Sequence, residues 1–482
     1  MRNWLLVPLI LLYLLYLGRV GFIGPDEPRY ASIGRAMAVS GDWVTPRLDG
    51  QPWFEKPPLL YWLTAVGKVL RLPDEWAARL PVALVSLAFL IFFYLTLLRE
   101  FSARTAIAAT AILATSAGWV TYSFAAITDL LMSATLGAAM LLALFDTRRS
   151  RTGFQGVMGS PTGYIVGALL GLSILAKGFV PLVLFFPAFL VARGKRITSM
   201  IGCIAVAAPW YVLCLIRNGS VFWNDFFWKH HVERFLSPSL QHVQPFWYYI
   251  PVLLAGLFPW TPLALLLFSP KTYDDARVRF LTLWLLYALV FFSAAQNKLP
   301  GYVLPLMPAL VITLAAGLDR QSTSPFGAQW LLALSALSLM ILPTLAAALP
   351  DALLSGLSKS PIHFAFAPAL FFIAIAVAAW FLGWRSHRTA AIVTVAVTAA
   401  AGIVYLKITL FPVLDDRVSV RSFYRAHASE ISGACLDGVR RPLIYGLNYY
   451  AGRPLPACAG PAPGPRVAMR SNRLVVESSP NP

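Results

Sequence analysis

Apolar segments close to 20 residues long recur along most of this chain, and no other feature limits its fold as strongly. An α-helix needs about 20 apolar residues to cross ~30 Å of hydrocarbon, where no water is present to satisfy an open backbone. Such segments lie near residues 4–23, 77–98, 104–122, 128–146, 162–176, 178–192, 198–216, 246–268, 279–296, 301–318, 328–349, 364–384 and 389–411, thirteen in all. The 482 residues are 58% hydrophobic and 12% charged, where soluble domains carry about 25% charge. The pattern predicts an all-α polytopic membrane protein. The first run reads as a span and not as a cleaved signal, because no small-residue cleavage site follows it. Two short helices meeting at Lys177, or one long tilted helix, both fit 162–192.

The formal charge of +18 does not indicate nucleic acid, because Lys and Arg form short clusters between spans and not one basic face. Arg2, Arg99/Arg104, Arg148/Arg149/Arg151, Arg193/Lys195/Arg196, Lys271/Arg277/Arg279, Arg320 and Arg385/Arg388 occupy alternate loops. The positive-inside bias then places the N-terminus in the cytoplasm and the region after thirteen spans outside it, with membrane lipids as natural partners. The predicted domains are 1–411, in the membrane, and 412–482, a small mixed α/β domain with a β-like run over 442–450 and a disordered end. Cys203 and Cys214 read as buried thiols, while Cys435 and Cys458 are free to pair if the tail is extracytoplasmic.

The same topology gathers the unusual polar residues on the outer face. Charges are costly in hydrocarbon, so a cluster at the mouth of an apolar protein points to a working site. Asp26 and Glu27 follow Gly24-Pro25 at the end of the first span, with Arg29 close behind. Asp26 suits a general base or an electrostatic stabiliser, and as a lone acid it would be read as a helix cap. Glu55-Lys56 stands between Trp53-Phe54 and Pro57-Pro58; Lys56 suits a phosphate, Glu55 a metal or an orienting role, and a surface ion pair is the plainer alternative. Residues 28–39 and 58–70 are predicted as short amphipathic helices of this loop, 24–76. The loop after 216 carries His230, His231 and Arg234, where a histidine suits a divalent ion and Arg234 phosphate oxygens. Asp129, Lys177, Lys298 and Tyr302 fall on the same side. No P-loop, Gly-x-Ser-x-Gly, HExxH or Rossmann fingerprint occurs in a fitting context, which disfavours ATPases, serine hydrolases and zincins. No paired Gly/Pro-broken spans suggest an inverted-repeat transporter.

The stretches Asp26-Glu27-Pro28-Arg29-Tyr30-Ala31, Ser40-Gly41-Asp42-Trp43, Phe54-Glu55-Lys56-Pro57-Pro58-Leu59 and Tyr61-Trp62 resemble the ArnT-like branch of the GT-C glycosyltransferases, relatives of protein O-mannosyltransferases. The likeness returns at Asp129, at His231-Val232-Glu233-Arg234-Phe235 and at Lys298-Leu299-Pro300-Gly301-Tyr302. It implies a multi-pass protein of the bacterial inner membrane with a periplasmic C-terminus. The implied reaction moves a monosaccharide, with inversion, from a polyprenyl-phosphate donor to a lipid, glycan or protein acceptor. Lipid A is the acceptor of the aminoarabinose branch. By position, Asp26 is the principal carboxylate and Asp129 a supporting acid. Arg29, Lys56, Lys177, Arg234, Lys298 and Tyr302 are expected around the donor phosphate. Glu55 and His231 would hold a divalent metal such as Zn, Mg or Mn. His230 stands where that branch leads one to expect an acid, and the tail is shorter than its pattern. A lipid or sugar transporter, or an inactive envelope scaffold, are the alternatives in other functional classes.

Overall fold

The computed structural model describes residues 6–145, 161–192, 194–233, 243–320, 327–356, 360, 369–459, 464–470 and 473–477. Each of the thirteen predicted segments carries helix. Seven helices are long and apolar enough to cross a membrane, or eight when the bent pair α5 (Ala103–Thr115) and α6 (Ala117–Ser123) counts as one span. The long ones include α4 (Asp74–Glu100), α7 (Thr128–Phe145), the run begun by α10 (Arg196–Phe222), α12 (Ala276–Ala294) and α17 (Arg388–Arg417). Shorter apolar helices occupy other predicted segments: α8 (Pro161–Lys177), α9 (Val180–Val191), one over Phe246–Leu257 and α16 (Ala369–Trp384). The pair across 162–192 is two helices, broken where Gly178 takes φ 84°. One large apolar core joins most of the membrane helices.

The first segment departs furthest from a plain span. Its described helix, α1 (Leu6–Leu14), stops early, and Tyr16 takes φ 66°. Residues 15–23 then run irregularly to α2 (Asp26–Ser40). Open backbone at such a depth requires protein partners, and these partners build much of the site.

Helix α2 fills the predicted amphipathic stretch and ends at Gly41, which takes the left-handed φ of 70° typical of a glycine C-cap. Its buried face is Tyr30, Ile33, Gly34 and Met37, at i, i+3, i+4 and i+7 spacing. That face packs on α3 (Leu59–Val69). Gly34 permits the close approach, since a Cβ there would lie 2.7 Å from Thr64 Cβ. A two-residue hairpin, β1 (Arg47–Leu48) with β2 (Gln51–Pro52), delivers Glu55 and Lys56 between the two helices.

The predicted boundary at 411/412 falls inside α17, which continues to Arg417. Beyond it come α18 (Arg421–Ala426), α19 (Ala428–Ile431), β3 (Cys435–Asp437), α20 (Arg441–Ala451), β4 (Arg466–Arg470) and β5 (Arg473–Glu477). Strands order β3-β4-β5, with β3/β4 parallel and β4/β5 antiparallel. The β-like run over 442–450 is therefore a helix. Pro442 suits its first turn, Gly452 closes it with φ 72°, and Leu443, Gly446, Leu447 and Tyr450 repeat at helical spacing. Cys435 and Cys458 form a disulfide, while Cys203 and Cys214 are buried free thiols.

Candidate active site

The irregular segment after α1 is held by side chains from distant elements. Arg79 of α4 donates to the carbonyls of Leu17 (2.9 Å), Val20 (2.6 Å) and Gly21 (2.9 Å). Its guanidinium also meets both Glu27 oxygens, at 2.8 and 2.7 Å. Lys407 of α17 donates to the carbonyls of Leu12 (2.5 Å) and Leu15 (2.9 Å), closing the end of α1. Arg421 donates to the carbonyls of Gly18 and Arg19, and Asp415 accepts from the Gly21 amide. Glu27 also accepts from the amides of Ile23 and Ala126. Of the two adjacent acids, Glu27 is thus committed to the scaffold, and Asp26 stays available beside it.

Asp26 begins a chain of ionic contacts. Arg29 Nη2 lies 2.5 Å from Asp26 Oδ1 and 3.1 Å from Glu55 Oε2, and Lys56 Nζ lies 3.7 Å from Glu55 Oε1. The Arg29 guanidinium faces the rings of Tyr30, Trp53 and Tyr445 at 5.4, 5.6 and 5.5 Å. Burial works against its charge, but Glu55, Tyr30 and Asp26 outweigh it and push its pKa up. The Asp26 carboxyl is raised above the ordinary carboxylate range, first by burial and then by Glu55 and Asp129, against the lowering by Arg29 and Lys56.

A second pair sits nearby. Lys177, at the end of α8, donates to Asp129 in the first turn of α7, and its Nζ lies 4.7 Å from the centre of the Tyr302 ring. A Cβ on Gly301 would run into the Asp129 carboxylate and the Tyr122 ring. This gives the Pro-Gly-Tyr order a steric reason.

Two cavities flank the ion chain. One of about 100 Å3 is walled by Glu55, Lys56, Lys177, His230 and Tyr302. The other, about 580 Å3, has Asp26, Glu27, Arg79 and Lys407 on a mostly apolar wall formed largely by α6, α15 (Leu342–Ser355) and α17. Arg29, in contact with both Asp26 and Glu55, connects the two. A third, apolar groove of about 520 Å3 runs beside α8, α9 and α10 and is lined in part by Ile174, Phe179 and Phe227.

Asp26, Arg29, Glu55, Lys56, Asp129, Lys177 and Tyr302 thus converge. Lys298 differs. It is buried and donates to the carbonyls of Gln244 (3.0 Å) and Ala295 (2.6 Å), a backbone clamp outside the lining of the small cavity. Burial lowers its pKa. Arg234 and the His231 side chain lie outside the described residues; the backbone of His231 belongs to a π-helical segment, Trp223–Glu233. For a metal, the described donors are Glu55 and His230, two groups where a divalent ion takes four or more ligands. Glu55 is already shared by two cations, and no group of three or more His, Cys, Asp or Glu occurs among the described residues. The described side chains do not by themselves make a metal site. Arg79 and Lys407 were missed from the sequence. Their signal was available, since each is a lone charge inside an apolar run.

A family model described as dolichyl-phosphate-mannose-protein mannosyltransferase matches residues 55–216. The chain is 34% identical over 335 residues to the undecaprenyl phosphate-alpha-4-amino-4-deoxy-L-arabinose arabinosyl transferase of Serratia proteamaculans, covering 65% of this chain and 59% of that one. The protein of the same name from Pectobacterium carotovorum is 35% identical over 332 residues, with 65% and 58% covered. The matches thus span less than two thirds of these relatives. The crystal structure of ArnT from Cupriavidus metallidurans bound to undecaprenyl phosphate superposes with a TM-score of 0.71 at 25% identity, covering 94% of this chain and 86% of that one. Helical architecture, loop residues and relatives agree in likening the chain to the ArnT-like branch of the GT-C glycosyltransferases.

Proposed function

We propose that the protein is a membrane glycosyltransferase that moves a monosaccharide from a polyprenyl-phosphate donor to an acceptor at the outer membrane face. The observation that carries this is the placement of one arginine, Arg29, between a carboxylate on a large apolar cavity and a carboxylate on a small cationic one. The donor phosphate fits the cationic side, near Lys56, Lys177 and Tyr302, and its polyprenyl chain fits the apolar groove beside α8 to α10. The acceptor enters the large cavity, whose apolar wall favours a lipid over a glycan or a protein.

In the reaction an acceptor oxygen attacks the anomeric carbon as the carbon–oxygen bond to phosphate breaks, and the electron pair leaves with polyprenyl phosphate. Lys56 and Lys177 stabilise the charge that develops there. With a hydroxyl acceptor Asp26 takes the proton; with a phosphate acceptor no proton moves and Asp26 orients it. A divalent ion, where one binds, would be held by Glu55 and His231, and no step depends on it. The proposed topology has thirteen spans, a cytoplasmic N-terminus and a periplasmic domain after α17. The test is release of free polyprenyl phosphate from a polyprenyl-phosphate sugar by purified protein, with Asp26→Asn as control. Full activity in a folded Asp26→Asn protein would remove the role given to Asp26. Metal analysis of wild type, Glu55→Ala and His231→Ala tests the ion.

A further inference from the structure

We propose that α20 of the C-terminal domain is a positioning element of the active site, acting through Tyr445 on Arg29 and stapled in place by the Cys435–Cys458 disulfide. The proposal rests on the transferase reading for its kinetic part, but not for its structural part.

Several contacts place α20 on the catalytic loop. The Tyr445 ring closes the aromatic cage around Arg29. One turn on, the Tyr449 carbonyl accepts from Arg35 of α2 at 2.8 Å, and the Arg35 guanidinium sits 4.2 Å from the Tyr449 ring centre. The Tyr449 and Tyr450 hydroxyls donate to Asp74 and Glu75 at the start of α4, each at 2.8 Å. Tyr450 also accepts from the Phe22 amide, and Asn448 reaches Asp49 in the hairpin that leads to Glu55. A single 11-residue helix therefore touches α2, α4, the irregular segment and the hairpin.

The disulfide explains how so short a helix keeps its place. Its two cysteines are 23 residues apart and enclose all of α20. Backbone bonds fasten the ends of that loop, from the Leu436 amide to Pro456 O at 2.8 Å and from the Cys458 amide to Leu436 O at 3.0 Å. Arg29 is held on one side by Asp26 and Glu55, and on the other by three rings. Loss of the Tyr445 ring frees the guanidinium to shift between the carboxylates, which sets the geometry of Asp26. Tyr445 lines neither cavity, and its effect is expected on turnover more than on donor binding.

The experiment uses the full chain in detergent or nanodiscs, with Tyr445→Ala, Tyr445→Phe and the double variant Cys435→Ser/Cys458→Ser. Tyr445→Ala is expected to lower kcat roughly fivefold to thirtyfold, the range a desolvated cation–π contact supports, with donor KM changed less than about twofold. Tyr445→Phe keeps the ring and restores kcat. Amide hydrogen exchange gives a readout independent of activity. Exchange in Asp26–Ser40 should rise about fivefold or more in Tyr445→Ala and in the double serine variant, while Thr128–Phe145 stays protected. Unchanged exchange in Asp26–Ser40, an equal rise throughout the protein, or a Tyr445→Phe protein as impaired as Tyr445→Ala each overturns the proposal. A wild-type protein without transfer activity would instead refute the transferase reading and leave exchange to decide this one.

Discussion

Replacing Arg79 by alanine tests the idea that this side chain is a main hold on the irregular entry to the candidate active-site loop. Arg79 and Glu27 are 3% and 5% exposed, and Arg79 makes five hydrogen bonds, two to Glu27 and three to backbone carbonyls. Removing one partner of a buried pair costs about 3–5 kcal/mol, because the other charge stays buried. Each abandoned carbonyl adds about 1–3 kcal/mol if it stays dry. The adjoining 580 Å3 cavity can admit water to these groups, so the lower ends apply. The expected loss is about 6 kcal/mol for Arg79→Ala, a large part of the roughly 5–15 kcal/mol that holds a domain folded. Arg79→Lys keeps the charge with fewer donors and should lose about half as much. The double variant Glu27→Gln/Arg79→Met removes both charges and should recover 2 kcal/mol or more of the single loss, by the logic of a mutant cycle. Equilibrium unfolding in bicelles by steric trapping measures all three. A loss below about 1 kcal/mol for Arg79→Ala, or a double variant no better than the single, would refute the reasoning.

The raised Asp26 pKa has two consequences. The acidic limb of the kcat/KM profile should lie above the usual carboxylate range and disappear in Asp26→Asn. A carboxyl with a raised folded-state pKa binds its proton more tightly folded than unfolded, so stability falls as pH rises from the unfolded towards the folded value. Asp26→Asn should therefore be more stable than wild type at pH 7, as a thermal melt would show, and a less stable variant would contradict the burial argument. Gly301→Ala should displace Asp129 from Lys177 and weaken polyprenyl phosphate binding about tenfold or more, read by tryptophan fluorescence titration, with Gly317→Ala, away from the site, as a control for packing damage. Lys407→Met should leave the Leu12 and Leu15 carbonyls unpaired and lower the melting temperature, with a smaller loss for Lys407→Arg.

Much of the membrane architecture was legible because hydrocarbon imposes a simple length rule on apolar helices. All thirteen segments carry helix, and the paired short helices at 162–192 turn next to Lys177. The amphipathic stretches of the first loop were equally legible, since their spacing is helical. The early end of α1 was not, because unwinding there depends on Arg79, Lys407 and Arg421, which lie far away in sequence. The helix at 442–450 was misread as a strand because Ile444, Tyr445, Tyr449 and Tyr450 carry high β-propensity, and docking on α2 and α4 overrides it. Lys298 matched the phosphate-binding expectation by motif alone; its ammonium is spent on carbonyls that only the folded chain brings to it. Glu27 and Asp26 could not be told apart by composition, and a partner 52 residues on separates their roles.

The backbone of residues 12–23 is held in part by Lys407, Asp415, Arg421 and Tyr450, across sequence separations of 392 to 428 residues. A stretch made early is thus locked in part by residues made about 400 positions later. At about 5–20 residues per second, a ribosome needs on the order of 20–80 seconds to make the chain between them. For that interval the carbonyls of Leu12, Leu15, Gly18 and Arg19 depend on the insertion machinery or water, and a chain halted before residue 407 never fastens them. The entry to the candidate site is therefore clamped only after the chain has been made through Arg421, and copies cut short of Lys407 lack both late clamps.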